Sequence, residues 1–333
     1  MTGTGVLAAA FLSLTGPGDI WPVLGLLIAG QFGFAGANVF YNSLLVSAVE
    51  PERRELISSR GYAFGYLGGG ILLAVNLLMI RNPAFFGFSE ASVALRWVFL
   101  SVAAWWALFS IPLFVMVPEG ISGGAETLAA SIKSGFTSLI STFHHIRGRK
   151  NIFRFLLAFL LYNDGVQTVI MMATVYGKAE LGLGSGHLIG ALLLTQAVGV
   201  PGSLTYGWLA KKFGSKRMLY VGIAGYIVII FYAFWMSKAV DFWILAGMVG
   251  LFMGGLQAVS RSFYSRMIPA GMNAEYFGFF SISQRFASIL GPLMFALIND
   301  VTGSSKLSIL SLLVLFVSGG LVLRTVKSPG ETQ

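Results

Sequence analysis

The 333-residue sequence contains no cysteine. Disulfides, thiolate metal sites and thiol nucleophiles are thereby excluded. Charge is scarce: Asp, Glu, Lys and Arg together make up 11% of the chain, against about 25% in a soluble domain. Charged side chains are what cover the outside of a water-soluble core. A soluble globular reading is therefore excluded, and a disordered one with it. Three histidines occur, His144, His145 and His187, at no metal-ligand spacing to carboxylates. The glycines Gly65, Gly68, Gly69 and Gly70 are followed by no P-loop lysine, so they are expected to let helices pack closely. The start lacks the basic segment of a secretory signal, and the end carries no lipidation motif. No nucleophile–base–acid set is visible, so an enzyme is not expected.

Apolar residues dominate instead. Hydrophobic residues reach 56% before the 42 glycines are added, and the mean hydropathy is +0.79. A helix needs about 20 apolar residues to cross the hydrocarbon core. Nine segments qualify: Trp21–Val46, Gly61–Ile80, Leu95–Val117, Ile152–Val175, Leu188–Ala210, Met218–Met236, Phe242–Ala258, Tyr276–Leu297 and Leu307–Leu323. A shorter stub, Gly5–Leu14, precedes them and reads as part of a further helix. The runs are too long and too continuous for barrel strands. The fold class is an all-α polytopic membrane protein. Lys and Arg fix the expected orientation: sixteen fall in one alternating set of loops and five in the other, and Arg285 lies inside a span. The richer set marks the cytoplasm, which puts both chain ends inside provided that the stub crosses as well. The net charge of +9 is read the same way, and no nucleic-acid partner is expected.

The longest gap between spans runs from Pro118 to Asn151. Within it Leu128, Ile132, Phe136, Leu139, Ile140, Phe143 and Ile146 recur at helical spacing. Lys133, His144 and His145 take the other face. An amphipathic helix on the membrane surface fits this pattern, and so does a solvated helical linker. The expected organisation is a partial N-terminal helix bundle over 1–117, a linker over 118–150, a six-helix bundle over 151–325 and a tail over 326–333. Weak likeness between the turn after Gly36 and the turn after Gly254 hints at the internal repeats of secondary transporters.

The turn Gly207-Trp-Leu-Ala-Lys211-Lys212-Phe-Gly214-Ser-Lys216-Arg217 resembles the signature loop of the major facilitator superfamily, with Lys211 where that family carries an acid. The strings Phe40-Tyr-Asn-Ser-Leu-Leu, Gly65-Tyr-Leu-Gly-Gly, Tyr162-Asn-Asp-Gly-Val-Gln-Thr168, Gly255-Leu-Gln-Ala-Val-Ser-Arg-Ser262 and Ala274-Glu-Tyr-Phe-Gly278 follow in order. Together they are similar to the vacuole-effluxer-like branch, related to the fungal autophagy-linked amino acid effluxer. The resemblance implies major facilitator helix bundles with the first two of twelve spans outside this sequence. It also implies alternating access, a solute site between bundles, possible amino acid efflux, and a gating loop at Gly207, Lys211, Lys212, Gly214, Lys216 and Arg217.

The residues themselves single out Asp164. Of thirteen acids it is the one deep in an apolar segment. It lies roughly 18 Å from the start of its helix at about 1.5 Å per residue, near the middle of a core about 30 Å thick. A charge there costs at least ~2.5–3.5 kcal/mol. Either it serves as a proton or cation site, with Gly165 permitting a local helix break, or it pairs with an arginine and locks two helices. Arg285, about 14 Å deep, either faces a cavity, where it would bind a substrate carboxylate or Asp164, or snorkels to the headgroups. Asn38, Tyr41, Asn42, Asn163, Gln167, Gln257 and Gln284 are the softer pathway candidates, with Gln31 and Gln196 beside them; interhelical hydrogen bonding is the alternative for each. Trp105 and Trp106 are expected to be packing residues.

The sequence is thus read as a secondary active transporter of a small solute, a monomer in the bacterial inner membrane, with lipid and protons as partners and no cofactor. A non-transporting fragment or scaffold and a membrane-embedded enzyme are the rival readings.

Overall fold

The computed structural model describes residues 1–117, 141–269 and 271–328. The regular structure among them is helical: α1 (Thr2–Leu12), α2 (Ile20–Ser47), α3 (Arg54–Arg81), α4 (Ala91–Met116), α5 (141–148), α6 (Lys150–Leu181), α7 (Ser185–Phe213), α8 (Ser215–Trp235), α9 (Ala239–Ser265), α10 (Asn273–Phe286), α11 (Leu290–Thr302), α12 (Ser305–Ser311) and α13 (Leu313–Arg324). Nine stretches among the described residues are long and apolar enough to cross a membrane, the number that hydropathy gives. Many large apolar side chains on these helices remain exposed, Trp21, Phe64, Phe114 and Val314 among them. Lipid, not water, is the solvent such surfaces suit.

The chain divides into two compact units, Met1–Tyr41 with Ile71–Ser138, and Asn42–Gly70 with Leu139–Gln333. In the first, small residues let helices touch. A Cβ on Gly5 would run into the indole of Trp106, and one on Gly33 would sit 2.8 Å from Met1 O. Trp106 is thus the packing residue its position suggests, with Phe34 against its edge at 6.0 Å. The Ser101 hydroxyl donates to Asn76 Oδ1 at 2.8 Å and ties α4 to α3.

The second unit is built around α6, the most enclosed helix, with 61% of its apolar window buried against 22% for α7. Its face Phe155, Phe159 and Tyr162 stacks into a buried aromatic cluster with Tyr264 and Phe280. Helices α7 and α9 approach backbone to backbone: a Cβ on Gly202 would lie 2.8 Å from Leu251 O, and one on Gly250 2.7 Å from Thr195 O. Close approach through small residues is how helices associate where lipid removes the hydrophobic drive. Gly69 and Gly70 pack in this way against Gln196, whereas Gly65 faces open space.

Two expectations change, and a third lies mostly outside the described residues. Gly165 does not break its helix, since α6 runs unbroken from Lys150 to Leu181. The missing side chain instead makes a notch for Phe316 of α13, whose ring a Cβ would approach to 2.5 Å. The break lies in the eighth apolar segment, which is two helices, α10 and α11, interrupted at 287–289. Pro292 contributes to it, since proline in a helix has no N–H for the carbonyl four residues earlier, that of Ser288; Pro112 and Pro201 sit inside unbroken helices, so proline is not the whole cause. Finally, the amphipathic segment lies mostly outside the described residues, as does the end of the tail. Its described part, α5, has Thr142 and Ile146 buried and Phe143 stacked on Phe279 at 6.1 Å, so it packs on protein as well as bearing a polar face.

The notch predicts a stability effect. Gly165→Ala should overpack the α6–α13 contact by about 1–3 kcal/mol and lower the unfolding midpoint in detergent. Gly247→Ala, where nothing lies within 4 Å, should leave the midpoint unchanged or raise it.

Candidate functional site

Two polar constellations are buried in the second unit. The first centres on Asp164, which is fully buried on α6. Its carboxylate sits across the start of α11: the Leu290 N–H donates to Oδ2 at 3.0 Å and the Gly291 N–H to Oδ1 at 2.9 Å. The Thr168 hydroxyl donates to the Asp164 backbone carbonyl at 2.7 Å and lies 3.4 Å from Oδ1. A helix start leaves its first N–H groups without intrahelical acceptors, and inside a bilayer no water supplies one. The partial positive charge of the helix end favours an anion there, by up to ~2 kcal/mol in partly buried geometry. Gly291 has to be glycine, because a Cβ would collide with Thr168 Oγ1 and lie 2.9 Å from Asp164 Oδ1. Of the two sequence readings, a proton or cation site and a partner arginine, the structure shows no arginine bonded to Asp164 among the described residues; its oxygens accept from backbone donors of a broken span.

The other candidates are placed as follows. Asn163 is buried beside Asp164, and its Nδ2 makes no hydrogen bond among the described residues. Gln167 is half-buried one turn further along α6, and Gln284 and Arg285 lie in the last turn of α10, just before the break, Arg285 exposed. Asn38 back-bonds to its own helix, donating to Phe34 O at 2.9 Å. Tyr41 is exposed, and Gln257 is half-buried on α9.

The second constellation lies where α3 and α8 begin and α9 ends. Arg261 donates from Nε to Ser58 Oγ at 2.9 Å, from Nη1 to Asn42 Oδ1 at 3.0 Å and from Nη2 to Ser58 O at 3.1 Å. Its guanidinium lies over the Tyr62 ring, 4.9 Å from the centroid. Arg54 donates to Val46 O and Val49 O at 3.1 Å and to Ser265 O at 2.9 Å. One cation thus serves the trailing carbonyls of α2 and α9, where the helix dipole favours it. Glu55, also buried, forms an ion pair with Arg266. It accepts from the Ser215 hydroxyl at 2.8 Å, and Arg266 Nη2 donates to the same hydroxyl at 2.6 Å.

Arg261, about one turn from the end of α9, and Glu55, in the first turn of α3, are buried charges at span ends, which sequence position alone does not single out.

The gating loop adjoins the cluster. Gly207 lies against α3, where a Cβ would hit Ser59 Oγ, and Gly214 turns the chain at a φ of +91°. Lys211 and Arg217 are exposed; Lys212 lies over the Trp208 and Phe213 rings at 5.2 and 5.3 Å; Lys216 donates to Val326 O. A carboxylate does reach this turn, at Ser215, but Glu55 of α3 supplies it.

A family model described as "Vacuole effluxer Atg22 like" matches residues 14–329. The chain is 39% identical over 331 residues to YxiO, an MFS-type transporter of Bacillus subtilis (strain 168), covering 98% of this chain and 76% of that protein. It is 27% identical over 356 residues to autophagy-related protein 22 of Saccharomyces cerevisiae (strain YJM789), covering 91% of this chain and 66% of that protein. This chain therefore spans about two thirds of the yeast relative's length. Among solved structures, the E. coli fucose:proton symporter FucP superposes with a TM-score of 0.72 at 16% identity, covering 98% of this chain and 82% of that one; this likeness shows the fold alone.

The cap on α11 gives a graded expectation. Asp164→Ala leaves two buried N–H groups without an acceptor, at about 1–3 kcal/mol, and should lower the unfolding midpoint clearly. Asp164→Asn keeps one amide oxygen to accept, as asparagine does at helix starts, and should fall between alanine and the native protein in the same thermal assay.

Proposed function

We infer the function from one premise: the chain belongs to the vacuole effluxer Atg22-like family of MFS-type transporters. It is an integral membrane protein with a transporter's fold. We propose that it moves a small solute, an amino acid in the first instance, by alternating access, and that Asp164 couples the movement to protons. The observation that carries this is the membrane-spanning segment broken at 287–289, whose second half is held at its start by a buried carboxylate. Ionised, Asp164 accepts from both N–H groups. Protonated, one oxygen becomes a donor and the charge at the helix end is lost, so the hold on α11 loosens. In the present conformation Asp164 is closed off, and proton access needs the α10–α11 hinge to move. Arg285, at the edge of that hinge, is proposed to receive a substrate carboxylate, with Asn163, Gln167, Gln257 and Gln284 lining the pathway.

The charged cluster serves as the latch at one end of the pathway. The Lys and Arg distribution favours the cytoplasm for that end, and the Bacillus relative supports a bacterial cytoplasmic-membrane location. The gating-loop glycines let the turn close on α3, and Glu55 provides the acid that Lys211 lacks. In the bundle organisation proposed for 1–117 and 151–325, closing and releasing this latch alternates access to the solute site.

The test is counterflow in proteoliposomes, screening radiolabelled neutral amino acids one at a time with and without an imposed pH gradient. The native chain should accumulate label uphill; Asp164→Asn should lose the gradient-driven part and keep exchange. Undiminished uphill uptake in the variant removes Asp164 from coupling, and absence of counterflow for every amino acid removes the substrate assignment. For the latch, Glu55→Gln should speed maleimide labelling of a Gln257→Cys reporter from the cytoplasmic side, read cleanly because the native chain has no cysteine. Equal labelling rates would show that Glu55 does not hold that end shut.

A further inference from the structure

An open groove of about 460 Å³ runs along the outer surface of the second unit between α8 and α13. The helices are antiparallel there. Tyr220 and Arg324 mark one end, Ile223 faces Gly320 in the middle, and Ile227 lies near Phe316 at the other. Its depth comes from Gly320, where a Cβ would meet nothing nearer than Ile223 Cγ2 at 3.8 Å. From Tyr220 to Ile227 the groove extends about 10 Å at about 1.5 Å per residue, well within one leaflet of a core about 30 Å thick.

The groove is polarised along its length. Its deep end is apolar. Its mouth is cationic: Arg324 lines it, and Arg217 and Lys327 are exposed nearby in sequence at the same helix ends. Arg154 donates to Thr325 O at 3.5 Å and Lys216 to Val326 O, so two further cations gather where α13 ends. The first three turns of α6, the first two of α8 and the last of α13 carry no acid. An apolar slot one leaflet deep, with a cluster of fixed positive charge at its mouth, is complementary to one kind of molecule present at that depth. We propose that this groove is a binding site for a single anionic phospholipid, its acyl chain along Gly320 and its phosphate at Arg324. Basic pockets between transmembrane helices on the cytoplasmic side hold such headgroups, and an arginine fork suits a phosphate bidentately. The site is separate from Asp164 and the charged cluster and does not depend on the transport reading.

The experiment is native mass spectrometry of the full chain released from detergent with equal amounts of palmitoyl-oleoyl phosphatidylglycerol and phosphatidylcholine. The native protein should retain one phosphatidylglycerol in preference to phosphatidylcholine. Arg324→Gln should reduce that preference about fivefold, the worth of one basic residue near the surface, and Arg324→Lys should restore most of it. Gly320→Leu fills the slot and should cut retention of both lipids. Val228→Leu, on an exposed position of α8 outside the groove, should change neither. Equal retention of the two lipids by the native chain, or an Arg324→Gln variant with the native preference, would overturn the proposal. So would displacement of the bound lipid by glycerol 3-phosphate, which has the phosphate and no tail. Should Gly320→Leu fail to fold, the Arg324→Gln and Arg324→Lys pair decides the matter.

Discussion

A backbone N–H inside the hydrocarbon of a bilayer has only protein to bond to. The interruption at 287–289 frees such groups at mid-segment, and the Asp164 carboxylate takes two of them. Much else in the second unit follows from that demand. Gly291 is confined to a hydrogen side chain by Thr168 and Asp164, and Thr168 is held by the carbonyl of the residue it supports. The acid is kept in a costly place because the broken helix needs an acceptor there, and Pro292 withholds one of the backbone bonds that would close the break. Each feature is the condition of the other, so the charge and the hinge belong to one device.

The charged cluster obeys the same logic with opposite sign. Buried arginines are tolerable only when their donors are met. Arg54 finds carbonyls at the ends of two helices, and Arg261 finds Asn42 and Ser58. Carbonyls at helix ends face out along the axis, so a single guanidinium can serve both. The Glu55–Arg266 pair shares the Ser215 hydroxyl at the start of α8. Polar groups from four helices thereby meet at one end of the unit, apart from the buried Asp164 and its neighbours Asn163 and Thr168.

Hydropathy and charge bias carried the span count, because length and apolarity are local properties of the sequence. Asp164 was legible for the same reason, as an acid among apolar neighbours. Its partners were not. Donors at Leu290 and Gly291 have no side-chain signature, and only the Gly291–Pro292 pair inside an apolar run could have revealed them. Gly165 read as a weak point because glycine lowers helix propensity, yet its use is to admit Phe316, which lies about 150 residues further along and leaves no local trace. Arg54, Glu55, Arg261 and Arg266 sit near span ends, where charges are ordinarily solvated, so they were read for orientation only. Their pairings bridge segments some 200 residues apart, a distance at which periodicity says nothing.

The notch at Gly165 is matched less than one turn away by Gly319, whose absent side chain lets the α6 backbone in so closely that a Cβ would stand 2.9 Å from the Tyr162 nitrogen. At one contact the Phe316 ring of α13 fills a recess in α6; at the other the two backbones meet with no side chain between them. Such a pair cannot shear, since sliding either helix lengthwise would lift a ring out of its recess and drive it into the next turn. The two helices form a stiff spar, and flexing beside it is left to the break at 287–289, where the backbone of the neighbouring segment is itself interrupted.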